Sequence, residues 1–203
     1  MAVVGAVAAV AGAYVCGALP FAVWIGRAKG LDLRTVGSGN PGGSNVARAL
    51  SWRWGALVVG LDVVKAAVPA FVGERVGGPW LGVACATAAV AGSLASPFLR
   101  FRGGKGGATA GGASFGLMPL VGVCLFVVWQ VAYRLSGGYA SVGTVAGAVA
   151  YPLLAWALGE PLPYILFATA ASALVVFRHR ANLMRLRRGE ELPLRRRPVI
   201  KGD

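Results

Sequence analysis

Residues 106–135, GGATAGGASFGLMPLVGVCLFVVWQVAYRL, are the stretch on which the fold turns. Read as one helix, these thirty residues would run about 45 Å at ~1.5 Å per residue. A bilayer core is only about 30 Å thick, so one crossing leaves a large excess. Gly116 and Pro119 sit in the middle, and proline removes a backbone donor and clashes with the preceding turn. The stretch is therefore either one overlong span or a hairpin of a short and a longer helix. Around it lie further apolar segments at 1–26, 55–73, 79–101, 138–158 and 161–177. With 57% hydrophobic and 13% charged residues in 203 positions and a mean hydropathy of +0.67, the chain reads as an integral membrane protein.

Charge decides between the two readings. Basic residues crowd the link after the first segment (Arg27, Lys29, Arg34, Arg48, Arg53), the link after the third (Arg100, Arg102, Lys105) and the tail, with nine from Arg178 to Lys201. The positive-inside rule places all three in the cytoplasm, and the links carrying Glu74 and Glu160 outside. A single crossing by 106–135 would put the tail outside, so the hairpin reading follows. The expected architecture is an all-α polytopic membrane bundle of seven transmembrane helices, N-terminus out and C-terminus in. It forms a single domain over 1–203, with a basic cytoplasmic tail from about 178. The short helix, 106–115, spans only about 15 Å and should begin inside the protein, where an interrupted helix lines a polar cavity. No cleavable signal peptide is expected. The start lacks Lys and Arg, the apolar run exceeds the usual ~7–15 residues, and Val15 before Cys16 spoils a lipoprotein site.

Three polar islands interrupt this apolar chain: GSGNPGGSNVAR (37–48), RGGKGG (102–107) and FRHRANLMRLRRGEE (177–191). Gly37, Gly39 and Gly42 satisfy G-x-G-x-x-G, but a dinucleotide site needs a preceding strand, and here a membrane helix precedes. Gly103-Gly104-Lys105-Gly106 imitates a phosphate loop without the Ser or Thr that would hold magnesium and without a nucleotide-sized soluble domain, which argues against an ATPase. What the motifs share is physical. Glycines let backbone N–H groups converge on an anion, a helix N-terminus adds about half a positive charge, and Lys105 or Arg48 adds a full one. Both loops are candidate phosphate cradles. The plain alternative is a pair of turns whose cations sit at lipid headgroups, although Asn40, Ser44 and Asn45 exceed what an orientation signal needs.

Other features have structural readings. Asp62 and Lys65 are three apart on one helical face and should pair inside the bundle. Ser141 and Thr144 are either helix caps or hydroxyls facing the cavity. Cys16, Cys85 and Cys124 lack metal or disulfide spacing and read as small hydrophobes, and no metal or cofactor is expected. Trp24, Trp52, Trp54 and Trp80 suit an interfacial belt, and Arg195–Arg197 suit anionic lipid rather than nucleic acid.

Taken together, the three islands, the D-V-V-K pair at 62–65 and Y-A-S-V-G-T from Tyr139 resemble the PlsY family of membrane glycerol-3-phosphate acyltransferases, which use acyl phosphate as donor. The resemblance covers nearly the whole chain. It implies residence in a bacterial plasma membrane as a multi-pass protein. Its partners would be glycerol 3-phosphate, acyl phosphate, membrane lipid and a soluble acyl-phosphate synthase. It further implies that Ser38, Asn45 and Arg48, with Gly39 and Asn40 beside them, bind glycerol phosphate. Lys105 with Gly103, Gly104 and Gly106 would form a second phosphate cradle, and Ser141, His179 and Asn182 would stand at the reacting end. The chain departs from the family pattern at Ala18, at Gly43-Ser44, at Ala66 and at Ser93, so a paralogue of weakened activity stays open. His179 is the only histidine and is followed four residues later by Leu183, so the device of thioester-using acyltransferases, a His followed four residues later by Asp, is absent. The acceptor hydroxyl would attack an already activated mixed anhydride directly. The remaining alternative is a small transporter or anion-binding protein for a phosphorylated solute. No internal repeat is seen, and the polar islands share one side of the membrane, which favours the enzyme.

A reporter fused after Lys201 should read cytoplasmic, and one inserted at 116–119 should read external. Both reporters on one side would rule out the hairpin.

Overall fold

The structure, a computed structural model, describes residues 2–194; the Arg195–Arg197 run and Lys201 fall outside the described residues. The described residues form helices and no strand: α1 (Ala2–Ala18), α2 (Phe21–Ala28), α3 (Gly43–Ala49), α4 (Trp52–Leu94), α5 (Gly107–Leu117), α6 (Pro119–Leu135), α7 (Ala140–Ala157), α8 (Leu162–Arg178) and α9 (Arg180–Arg187). By length and hydropathy, 3–28, 52–99 and Ala140–Ala157 are able to cross a bilayer. The 30-residue stretch is indeed broken. Met118 leaves helical geometry, with φ −143° and ψ 76°, and Pro119 opens α6 at the position where a missing N–H costs nothing.

α4 contains a second hairpin. Gly77 and Gly78 leave helical geometry, and Gly78 has φ +76°, which favours glycine. A side chain at Gly73 would meet Cys85 Sγ at 2.8 Å. Twelve residues of straight helix would separate these positions by about 18 Å, so the arms 52–76 and 79–94 fold back on each other.

Small residues bring the helices close. Gly112 and Gly116 of α5 lie against the Val63 and Ala67 carbonyls of the first arm of α4. Gly17 of α1 lies on Ala89, and Gly92 lies on the Tyr14 carbonyl. Lipid is as apolar as a leucine side chain, so close backbone approach rather than hydrophobic burial drives such packing. Accordingly the core is rich in alanine, with Ala66, Ala70, Ala86, Ala89, Ala113 and Ala168 fully buried. Large apolar side chains point outward, among them Leu135 at 84% exposure and Trp156 at 73%, as expected of a lipid-facing surface.

One boundary differs from the sequence reading. The first segment is not a single helix; it breaks at Leu19–Pro20 between α1 and α2. Pro20 cannot donate, and two freed carbonyls take side-chain donors instead. Ser96 Oγ donates to Ala18 O at 2.6 Å, and Lys65 Nζ donates to Leu19 O at 3.2 Å. Lys65 also pairs with Asp62 at 2.6 Å, as its spacing predicted, and lies 5.9 Å from the Phe21 ring centroid. The pair thus fastens the α1–α2 break to α4.

Removing one member of this pair leaves the other charge buried and unpaired. Lys65→Ala should therefore cost about 3–5 kcal/mol of stability. The combined Asp62→Asn and Lys65→Met change should recover most of that loss, as measured by thermal unfolding of the purified protein in detergent.

Candidate active site

The three islands meet around one cavity of about 730 Å³, lined by Ser38, Asn40, Arg48, Lys105, Ser141, His179, Asn182 and by apolar faces of α4 to α8. Lys105 precedes α5, Ser141 is in the first turn of α7, and His179 occupies the 49° bend between α8 and α9. Gly107 allows the start of α5 to come this near. A Cβ there would meet Thr144 Cγ2 at 2.8 Å and His179 Cε1 at 3.9 Å.

The hub of the site is Glu191, which the sequence reading did not single out. It is only 5% exposed. Its Oε1 accepts from Asn182 Nδ2 at 2.6 Å and from Ser141 Oγ at 2.9 Å, while Oε2 pairs with Arg185 Nε at 2.9 Å. The other face of Asn182 accepts a hydrogen bond from Lys105 Nζ. Arg48 donates to Leu192 O at 2.7 Å and Pro193 O at 3.1 Å, drawing the segment after α9 onto α3. Arg178 Nη2 donates to Gly104 O at 2.8 Å and so ties the Lys105 loop to the end of α8. The available signal for Glu191 was the Glu190–Glu191 pair interrupting a tail of cations.

Several predicted ligands have other tasks. Asn45 spends its amide inside its own loop: Oδ1 accepts from the Ser38 N–H at 2.9 Å, and Nδ2 donates to Leu33 O at 2.9 Å and Val36 O at 3.1 Å. It builds the loop that presents Ser38. Gly39, with φ +68°, and Gly103 do not line the cavity. The N–H groups of Gly103 and Gly104 bond Leu94 O and Ser93 O, at 3.0 and 3.1 Å, and thereby close the loop onto the end of α4. The backbone donors that remain are those of Lys105, Gly106, Gly107, Ala108 and Thr109, which have no backbone acceptor among the described residues. They sit at the N-terminus of α5, where helix polarity favours an anion. Neither hydroxyl of α7 is a cap, because Ser141 bonds Glu191 and Thr144 bonds Ala140 O at 2.9 Å.

Electrostatics follow from crowding. Burial, with Arg185 adding to it, pulls the Lys105 ammonium down to about 8. Burial, and secondarily Lys105, also lowers His179 below its ordinary value. Its Nδ1 lies 2.8 Å from Val175 O, a carbonyl that can only accept, so Nδ1 carries the proton. The lowering favours the uncharged ring, with Nε2 bare.

Comparison with known proteins gives the family. A family model described as glycerol-3-phosphate acyltransferase matches residues 7–189. The chain belongs to the glycerol-3-phosphate acyltransferase family. It is 42% identical to the glycerol-3-phosphate acyltransferase of Rubrobacter xylanophilus, over 88% of this chain and 89% of that one. The Thermus thermophilus protein of the same description is 40% identical, over 88% and 90%. Among solved structures, the chain is similar to the integral membrane glycerol 3-phosphate acyltransferase PlsY in its glycerol 3-phosphate form, with TM-score 0.89, 36% identity and coverage of 93% and 95%. The lysophosphatidic acid form matches with TM-score 0.87 and 34% identity, over the same shares.

Because Lys105 titrates near 8, its charge is present below that pH and is lost as pH rises through it. Affinity for inorganic phosphate, measured by calorimetry, should therefore fall between pH 7 and 9. Lys105→Arg, which stays charged, should flatten the profile. Lys29→Ala should leave it unchanged, since Lys29 lies 4.7 Å from the Trp54 ring centroid, outside the cavity wall.

Proposed function

We propose that this chain transfers an acyl group from acyl phosphate to the 1-hydroxyl of glycerol 3-phosphate, giving lysophosphatidic acid and inorganic phosphate. Membership of the family makes it an acyltransferase; the donor and the roles below are our reading. The observation that carries it is the cavity itself, which joins a cationic, hydrogen-bonded base to apolar walls in a bundle of membrane helices. Substrates with a phosphate at one end and an acyl chain at the other fit such a space. The walls include side chains that also face lipid, Trp52, Val59 and Phe126, so a chain can reach the site sideways from the bilayer.

In this scheme Ser38, Asn40 and Arg48 hold glycerol 3-phosphate, and Lys105 with the free N–H groups at the start of α5 holds the donor's phosphate. The 1-hydroxyl oxygen attacks the donor's carbonyl carbon, a new ester C–O bond forms, and the acyl–phosphate C–O bond breaks. The hydroxyl proton passes to an oxygen of the departing phosphate. Holding both reactants in line is the main contribution. Lys105 and the backbone donors offset the charge that grows on the leaving group. Ser141 and Asn182, fixed by Glu191, orient the reacting end, and His179 Nε2 accepts a hydrogen bond that aims the attacking hydroxyl. The chain spans the bacterial plasma membrane seven times, with the N-terminus outside and residues 1–203 acting as one domain. A soluble acyl-phosphate synthase supplies the donor.

Purified protein in lipid, given glycerol 3-phosphate and acyl phosphate, should produce lysophosphatidic acid, and acyl-CoA should not replace the donor. His179→Gln preserves hydrogen bonding without holding a proton near neutrality, whereas His179→Ala removes both functions. If His179 orients, Gln should keep a substantial fraction of the rate and Ala should lose most of it. A Gln variant as inactive as Ala, with a rate governed by one group near its lowered histidine pKa, would make His179 the general base.

A further inference from the structure

Two hydroxyls on the cavity wall take no part in the chemistry above. Tyr151 on α7 is 3% exposed and Ser172 on α8 is 8% exposed, and both line the cavity. Neither Tyr151 Oη nor Ser172 Oγ has a hydrogen-bond partner among the described residues. Tyr151 packs edge-on against Phe167, with centroids 6.3 Å apart. Its oxygen lies beside Ser114, whose own hydroxyl donates to Gly111 O at 2.6 Å. The surroundings are otherwise apolar: Leu125, Ala148, Ala171 and Val175 line the same wall. A buried hydroxyl left unmatched is unfavourable, and most such groups in proteins have a partner.

Position gives these two oxygens a meaning. Tyr151 stands ten residues along α7 from Ser141, and Ser172 stands seven residues along α8 from His179. At ~1.5 Å per residue they lie roughly 10–15 Å from the reacting end. An extended chain advances about 1.2 Å per bond, so this depth corresponds to roughly the eighth to twelfth carbon of an acyl chain running inward from that end.

We propose that Tyr151 and Ser172 form a seat for a hydroxyl group at this depth, and that the seat tunes which acyl chains the site accepts. The inference rests on the acyl-transfer reading above. A hydroxyl can come from two sources: one carried on the middle of the chain, or a bound water that a plain chain reaching this depth must displace. A chain hydroxyl would satisfy both oxygens. A plain long chain would strip them of water and give nothing back, whereas a shorter one would stop before them.

The test uses the full chain in lipid nanodiscs, wild type against the Tyr151→Phe and Ser172→Ala double variant. The donors are plain acyl phosphates of about eight and about sixteen carbons, and sixteen-carbon donors hydroxylated near the third or near the tenth carbon. Ratios of kcat/KM between donors are the readout, so a lower yield of folded variant does not matter. If the chain supplies the hydroxyl, wild type should favour the tenth-carbon hydroxy donor over the plain one by about tenfold, and the variant should lose that preference. If water supplies it and the chain's hydroxyl does not reach the two oxygens, the variant should shift the sixteen-to-eight ratio upward by a similar factor, with no preference for the hydroxy donor in wild type. Ratios that are the same in wild type and variant would overturn the seat while leaving acyl transfer intact. Absence of lysophosphatidic acid with every donor would overturn the acyl-transfer reading, and the seat with it.

Discussion

One carboxylate allows the site to exist. Lys105, Arg48, Arg178 and Arg185 are gathered where membrane helices end, and without an anion their mutual repulsion would spread them apart. Glu191 is that anion, binding Ser141 from α7 and Asn182 and Arg185 from α9. Through Asn182 it also reaches Lys105 in the loop before α5. Elements far apart in the chain are thus tied by a few charge-assisted bonds, each stronger than its neutral counterpart. Arg48 completes the enclosure from α3 by taking the carbonyls of Leu192 and Pro193. A single acidic residue, placed after a run of cations, organises the basic end of the cavity, whereas Asp62 on the same cavity is paired with Lys65.

Small residues supply the matching constraint within the bilayer. A polar cavity among membrane helices is tolerable only where the surrounding backbone is itself satisfied. Gly112 and Gly116 seat α5 directly on the carbonyl edge of α4, and the helix pairs close without bulky side chains between them. The short α5 then begins at the cavity, with its first N–H groups unspent, while its far end meets α6 at Met118. The break at Pro20 works in the same way, because its freed carbonyls are met by Ser96 and Lys65 rather than by water.

Much of this was legible in the chain, for identifiable reasons. The break within 106–135 follows from length and a proline, both of them local properties. The Asp62–Lys65 pair follows from helical spacing alone. The convergence of the three islands was visible as a shared composition. What stayed hidden depends on contacts between distant segments. The family resemblance makes Asn45 a ligand, yet its amide is used by Leu33 and Val36. Gly103 and Gly104 look like anion donors until their N–H groups are found on Leu94 and Ser93. Glu191 carries no periodicity or motif of its own. Only its partners, contributed by α7 and α9, make it important.

The state of Lys105 connects this architecture to the reaction. Its ammonium is held down to about 8 because it is buried and faces Arg185, with Glu191 only partly offsetting them. The protein's own groups thus leave the site short of negative charge, and the shortage is built into the fold. A phosphate arriving at the start of α5 supplies it and stabilises the charged form of the lysine, so binding and proton uptake favour each other. In the reaction we propose, the leaving group would gain further negative charge as the acyl–phosphate bond breaks, and this complementarity would increase. The arrangement therefore favours the separating phosphate over the intact donor, which is the condition for lowering a barrier rather than merely tightening binding. A mixed anhydride is already reactive, so a site of this kind has no need of a covalent intermediate or a strong base. It has to hold two anionic substrates together, and an excess of fixed, partly desolvated cations around one carboxylate does that.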